Sequence, residues 1–145
     1  MDIIDTAENK RKEILKEIIT NEDTALLLLK KLVEAAKPFL KVEQKTGSVV
    51  ICPEFNLANS DKIFLLLLGK YFAMNYGILK DYAITLGDIS AELGIKRTTL
   101  PSPLKTLMDN GVVERPKENT YRLNPYKADY VLRKLNEKFK VDEGE

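Results

Sequence analysis

Apolar and polar residues recur along the chain with periods that change from segment to segment, and each change predicts a new element. Ile3, Ile4, Ala7, Ile14, Leu15, Ile18 and Ile19 lie near one helical stripe, with Lys10, Arg11, Lys12, Lys16 and Glu17 opposite or beside it. This predicts an amphipathic helix over residues 1–19. A helix of that length is marginal alone in water, so it must dock on the rest of the chain or on a second chain. Thr20, with Asp23 three residues on, reads as the capped start of a second helix that runs to about Lys37, just short of Pro38. Leu26, Leu27, Leu28 and Leu29 cover more than half of its circumference. One partner surface cannot bury them all.

The character changes over residues 41–52. Val49, Val50 and Ile51 favour a strand, and Lys45-Thr46-Gly47 fits a turn between strands at 41–44 and 48–52. Residues 53–59 read as a loop, closed off from the strand by Pro53. Asn59-Ser60-Asp61 opens a helix that runs to Tyr76 and is apolar on most sides, with Gly77 ending it. One face packs on the helices that follow. Its surplus calls for a second partner, which the pattern assigns to the helix at 22–37, with Gly69 allowing close approach there.

The most informative stretch is 85–113. Leu86, Ile89 and Leu93 share a helical face behind a Thr85 N-cap, and Gly94 suits a left-handed helix end. Ile95 is expected in the core beside the turn. Leu100, Leu104, Leu107 and Met108 repeat the helical spacing, and Asn110-Gly111 stops it. Val112–Glu114 and Tyr121–Leu123 follow as strands of a hairpin with Arg115 to Asn119 at its tip. Asn124-Pro125 then starts a last helix over 125–140, with Tyr130, Val131, Leu135 and Phe139 on one face.

Ala91-Glu92-Leu93-Gly94-Ile95, Leu104-Lys105-Thr106-Leu107 and Asn110-Gly111-Val112-Val113-Glu114 in this order resemble the winged helix-turn-helix family of DNA-binding domains, as in archaeal and bacterial transcriptional regulators. The resemblance covers roughly residues 59–140. It implies a mainly α fold with small β; the residue pattern places before it an N-terminal helical extension over 1–58 that carries a short strand or hairpin, and the acidic tail 141–145 is expected to fray. It further implies that the second helix of the motif enters the major groove of double-stranded DNA. The exposed candidates there are Arg97, Thr98, Thr99, Ser102, Lys105 and Thr106. Arg97 suits a guanine or a phosphate, the hydroxyls suit either, and Lys105 suits a phosphate. Arg115, Lys117 and Asn119 would reach the backbone or minor groove from the wing. Thr98 reads equally as a helix cap.

Pro101 and Pro103 disturb that helix. If Thr98 caps it, Pro103 falls at the fifth position, where an interior proline costs about 3 kcal/mol. Either the first turn is distorted or the regular helix begins near Ser102 with Pro103 at its first position. Proline offers no donor where bases are read. The expected binding is therefore backbone-dominated and weakly sequence-specific. The alternative is a winged-helix protein-interaction or dimerisation module without DNA binding. The surplus of apolar surface fits a homodimer through the N-terminal helices under either reading.

Charge and composition refine the picture. The 145 residues carry a net charge of only +1, but residues 96–140 hold eleven Lys/Arg against five Asp/Glu, a net of +6. The excess falls on the candidate recognition helix, the wing and the last helix, although a solvated lysine-rich face would look the same. The chain has no histidine, a single cysteine (Cys52) and no acid pair, nucleophile motif or glycine-rich phosphate loop in a catalytic spacing. No enzyme activity, cofactor or metal is expected. The lone cysteine fits a reducing cytoplasm. The longest apolar run, Ile63 to Leu68, is six residues, too short to cross a membrane, and no secretory leader is evident.

Overall fold

A computed structural model describes residues 3–15, 18 and 22–140 of the chain. Residues 1, 2, 16, 17 and 19 of the first expected helix, the Thr20 cap and the tail 141–145 lie outside the described residues. The protein is mainly helical with small antiparallel sheets. The chain divides into two compact units, Met1–Lys31 and Leu32–Glu145.

In the first unit, α1 (Ile3–Leu15) is followed by most of α2 (Glu22–Ala36). Every side chain from Thr6 to Leu15 is exposed, as are Ile18, Leu26 and Leu27.

The second unit starts at Leu32. Leu32 and Ala36 are fully buried and Val33 is not, so the last turn of α2 has one buried face. β1 (Leu40–Val42) and β2 (Val49–Ile51) form an antiparallel hairpin, with Leu40 opposite Ile51 and Val42 opposite Val49. Its turn is built locally. The Thr46 amide and hydroxyl both donate to Glu43 Oε2 at 2.7 Å, and Gly47 takes φ +76°. Those bonds hold the Glu43 carboxyl below its ordinary range, the Thr46 hydroxyl contributing most.

α3 (Asn59–Tyr76) is the centre of this unit. Ile63, Phe64, Leu65, Leu66, Leu67 and Leu68 are all fully buried, which a helix achieves only when covered on every side. Later helices and the second sheet cover one face. β1 and β2 also pack on α3, a cover that the sequence pattern did not assign. The physical reason lies at Gly69. A Cβ there would stand 2.9 Å from Val49 Cγ1 and closer still to Cγ2, so the glycine admits a strand. The hairpin thus belongs to the same compact unit as residues 59–140. Lys70, one residue on and 6% exposed, donates from Nζ to the Gly47 carbonyl at 3.0 Å and to Glu92 Oε1 at 2.8 Å. It ties the hairpin turn and the next helix to α3.

After Gly77 (φ +95°), the chain passes through β3 (Ile84–Thr85), α4 (Leu86–Leu93), a 3-10 turn (Arg97–Thr99), α5 (Pro101–Asp109), β4 (Val113–Lys117), β5 (Thr120–Leu123) and α6 (Pro125–Lys138). β3 is an element that sequence pattern missed, because two residues are too few to alternate. The sheet order is β3-β5-β4 and both pairings are antiparallel. α6 buries Ala128, Leu132 and Leu135, at spacings of four and three, while Tyr130 points outward. Of the face expected for the last helix, Leu135 is buried and Val131 and Phe139 are half-buried, whereas Tyr130 is corrected to the exposed side. Asn136, also buried, donates from Nδ2 to the Ala35 carbonyl at 3.1 Å and the Leu132 carbonyl at 2.8 Å. Phe39, Phe55 and Phe139 pack edge-on or tilted, with centroids 4.8 to 6.3 Å apart.

Candidate nucleic-acid interface

The candidate residues lie on the 3-10 turn, α5 and the β4–β5 hairpin, which follow α4 in the chain. Thr85 caps α4, its Oγ1 accepting from the Asp88 amide at 3.2 Å. Ile89 is fully buried on the inner face. Gly94, at φ +67°, ends the helix and its amide donates to the Ser90 carbonyl. Ile95 is only half-buried, short of the core position expected. Its carbonyl accepts from the Ser90 hydroxyl at 2.6 Å, which fixes the turn.

The prolines find a solution different from both expected ones. Thr98 is not a cap: it sits inside the 3-10 turn, where the Thr99 amide donates to the Lys96 carbonyl. Leu100, fully buried, is the N-cap of α5 without any side-chain cap. Pro101 is then the first helical residue and Pro103 the third. The first backbone bond of the helix runs from the Leu104 amide to the Leu100 carbonyl at 3.1 Å. The leading donors of a helix have no internal partner, so the N–H groups that both prolines lack break no helical bond. The turn and the helix divide the segment, and the proline pair marks the division.

Arg97, Thr98, Thr99, Ser102, Lys105 and Thr106 are all exposed. Arg97 has a seat: a Cβ on Gly87 of α4 would lie 2.7 Å from its Nη2 and 3.3 Å from its Cζ. The guanidinium therefore lies against the bare backbone of the first turn of α4. Sequence reasoning missed the close approach at Gly87, whose only signal was a glycine placed inside a helix, where it costs about 1 kcal/mol relative to alanine. The Thr106 hydroxyl donates back to the Ser102 carbonyl at 3.3 Å, so it is partly spent within α5. Lys96, not among the expected residues, is exposed beside Arg97.

In the hairpin, Arg115, Lys117 and Asn119 are exposed, but their placement differs from the expected tip. β4 continues through Lys117, and the turn is only Glu118-Asn119, with Asn119 at φ +58°. Glu114 pairs with Arg122 and Lys117 with Thr120, so Arg115 and Pro116 together face Tyr121 in a bulge. A bulge accommodates a residue without an N–H, which explains how Pro116 sits within a strand. The Arg115 guanidinium lies 6.0 Å from the Tyr121 ring centroid. Arg122 is occupied differently. Its Nε donates to Glu114 Oε2 at 2.9 Å, and that bond raises its pKa further.

Among the described residues no group of three His, Cys, Asp or Glu side chains could hold a metal ion, and no helix is long and apolar enough to cross a membrane. Comparison of the chain with protein-family models, with curated proteins and with solved structures found no match.

Proposed function

We propose that residues 59–140 form a winged helix-turn-helix domain that binds double-stranded DNA in transcriptional regulation, contacting mainly the phosphate backbone. In this reading α4 and α5 are the two helices of the motif, and β4–β5 is the wing. The observation that carries it is the shared exposure of nine candidate side chains on two adjoining segments. These are Arg97, Thr98, Thr99, Ser102, Lys105 and Thr106 around α5, and Arg115, Lys117 and Asn119 on the hairpin, which packs against α5. The element order and the β3-β5-β4 sheet support the same architecture. The proline at the third position of α5 favours phosphate contact over base reading, because it removes a donor from the end that would meet base edges.

A homodimer through the N-terminal helices belongs to this proposal, supported by exposed Ile14, Leu15, Ile18, Leu26 and Leu27. A regulator that pairs in this way presents two DNA-binding surfaces to two half-sites. The same aliphatic surface also favours a second reading, a protein-interaction module that does not bind DNA. Anisotropy titration with mixed-sequence duplex at about 50 and about 200 mM salt separates the two readings. DNA binding is expected to weaken steeply with salt, and Arg97→Ala with Lys105→Ala to weaken it and flatten the salt slope. Absence of binding at the lower salt would reject the DNA reading.

A further inference from the structure

α6 presents an outward stripe quite unlike its buried face. Tyr126 and Tyr130 stand four residues apart, hence on one face of the helix, and are 67% and 58% exposed. Lys134, four residues further, holds its Nζ 4.5 Å from the centroid of the Tyr130 ring. Lys127 and Lys138 are exposed on the same helix, and Arg133 reaches back to Asp129 at 3.2 Å. From Pro125 to Lys138 there are four Lys/Arg against two Asp/Glu.

A second aromatic cluster joins α3 to the segment before β3. Tyr71 meets Tyr82 edge-on at 5.3 Å, and the Arg122 guanidinium lies 5.9 Å from the Tyr82 ring centroid. Burial is the chief reason the Tyr71 phenol titrates above its usual range.

Exposed rings alternating with ammonium groups match a particular chemistry. Planar bases stack on tyrosine faces, and the phosphates between them are neutralised by lysines. A duplex keeps its base faces inside its own stack, so such rings suit a strand whose bases are unpaired. A second copy of the chain is a poorer occupant, because α6 carries four Lys/Arg against two Asp/Glu, a net of +2, and two such faces would repel. We propose that the Tyr126–Tyr130–Lys134 stripe of α6 binds single-stranded nucleic acid, with bases stacked on the two rings and phosphates held by Lys127 and Lys134. The stripe shares no residue with α5 or the β4–β5 hairpin, so the inference stands or falls independently of duplex binding.

The full chain is titrated into labelled oligothymidylate and oligouridylate of ~20 nucleotides, a length that spans several base contacts. Anisotropy is read together with intrinsic fluorescence, which in a chain with no tryptophan comes from its six tyrosines, two of them in the stripe. Binding with quenched tyrosine emission is expected, and the two strands distinguish a DNA from an RNA preference. Tyr126→Ala combined with Tyr130→Ala should weaken strand binding roughly ten-fold or more and leave duplex affinity within about two-fold. Tyr126→Phe with Tyr130→Phe should retain strand binding, since the rings remain, and Lys134→Glu should lower it. No binding of either oligonucleotide at low salt, or equal losses for strand and duplex in the alanine variant, would overturn the proposal. So would a fall in mass by light scattering in the alanine variant, which would make the stripe a contact between copies.

Discussion

Lys70 and Glu92 share one ion pair and have unequal access to water, and that inequality predicts the outcome of mutating each. The lysine side chain is 8% exposed and the glutamate side chain 24%. Removing the carboxylate strands a buried ammonium, whereas removing the ammonium leaves a carboxylate that water can reach. Glu92→Ala should therefore cost about 2–4 kcal/mol in urea denaturation, and Lys70→Met under about 2 kcal/mol. The opposite ranking would show that the bond from Lys70 to the Gly47 carbonyl outweighs the charge pairing. Gly69 makes a second test. Alanine should favour the helix by about 1 kcal/mol, yet its Cβ would press into Val49. Gly69→Ala should lower stability by about 1–3 kcal/mol, and Val49→Ala in the same chain should recover part of the loss, as a double-mutant cycle would measure. At the hairpin turn, the depressed Glu43 pKa means the carboxylate contributes stability above its unfolded pKa and loses it as pH falls through the lower folded value.

Among the elements, α5 offers the sharpest test of what the prolines do. An interior proline would make Pro103→Ala stabilising by about 3 kcal/mol. Pro103 is instead the third residue of the helix, beyond reach of a broken bond, so Pro103→Ala should be neutral or destabilising by up to about 1 kcal/mol, from greater freedom of the unfolded chain. Thermal melting of the single variant decides between these. Pro103→Arg at the same place should tighten duplex binding if this end of α5 faces the groove, and leave it unchanged if it does not. The long periodic elements were legible in sequence: Leu86, Ile89 and Leu93 specified α4, and Thr85 and Gly94 marked its ends, because these signals are local. What covers α3 was not legible, since apolar residues on every side say only that cover is needed. Gly69 was the sole hint, and a glycine admits a strand as readily as a helix. β3 and the bulge at Arg115-Pro116 escaped for another reason: each depends on its pairing with β5, which leaves no trace in local spacing. The exposure of the nine candidate side chains was legible because it follows from polarity, whereas the seat of Arg97 on Gly87 depends on how the 3-10 turn meets α4.

For the molecule as a whole, the charge is divided between regions while the total stays near zero. The N-terminal 58 residues carry nine Lys/Arg and ten Asp/Glu, and the excess cations lie after residue 95. Solubility is thus set by the sum, and attraction to polyanions by the distribution. If the exposed aliphatic residues of α1 and α2 join two copies, Leu26→Glu with Leu27→Glu should halve the mass seen by light scattering and lower affinity for a duplex carrying two half-sites more than for one carrying a single half-site. A mass of one chain for the unmodified protein would remove that arrangement. The β4–β5 hairpin bears on how the second unit responds once occupied. The Leu86 amide, at the first position of α4, donates to the carbonyl of Asn119 at 3.0 Å. The tip of the hairpin therefore serves as the lid on a helix end, and the two cannot part without exposing a backbone donor. A force that lifts the hairpin would be felt first as faster deuterium uptake at one amide, Leu86, making that proton a built-in gauge of whether the hairpin has moved.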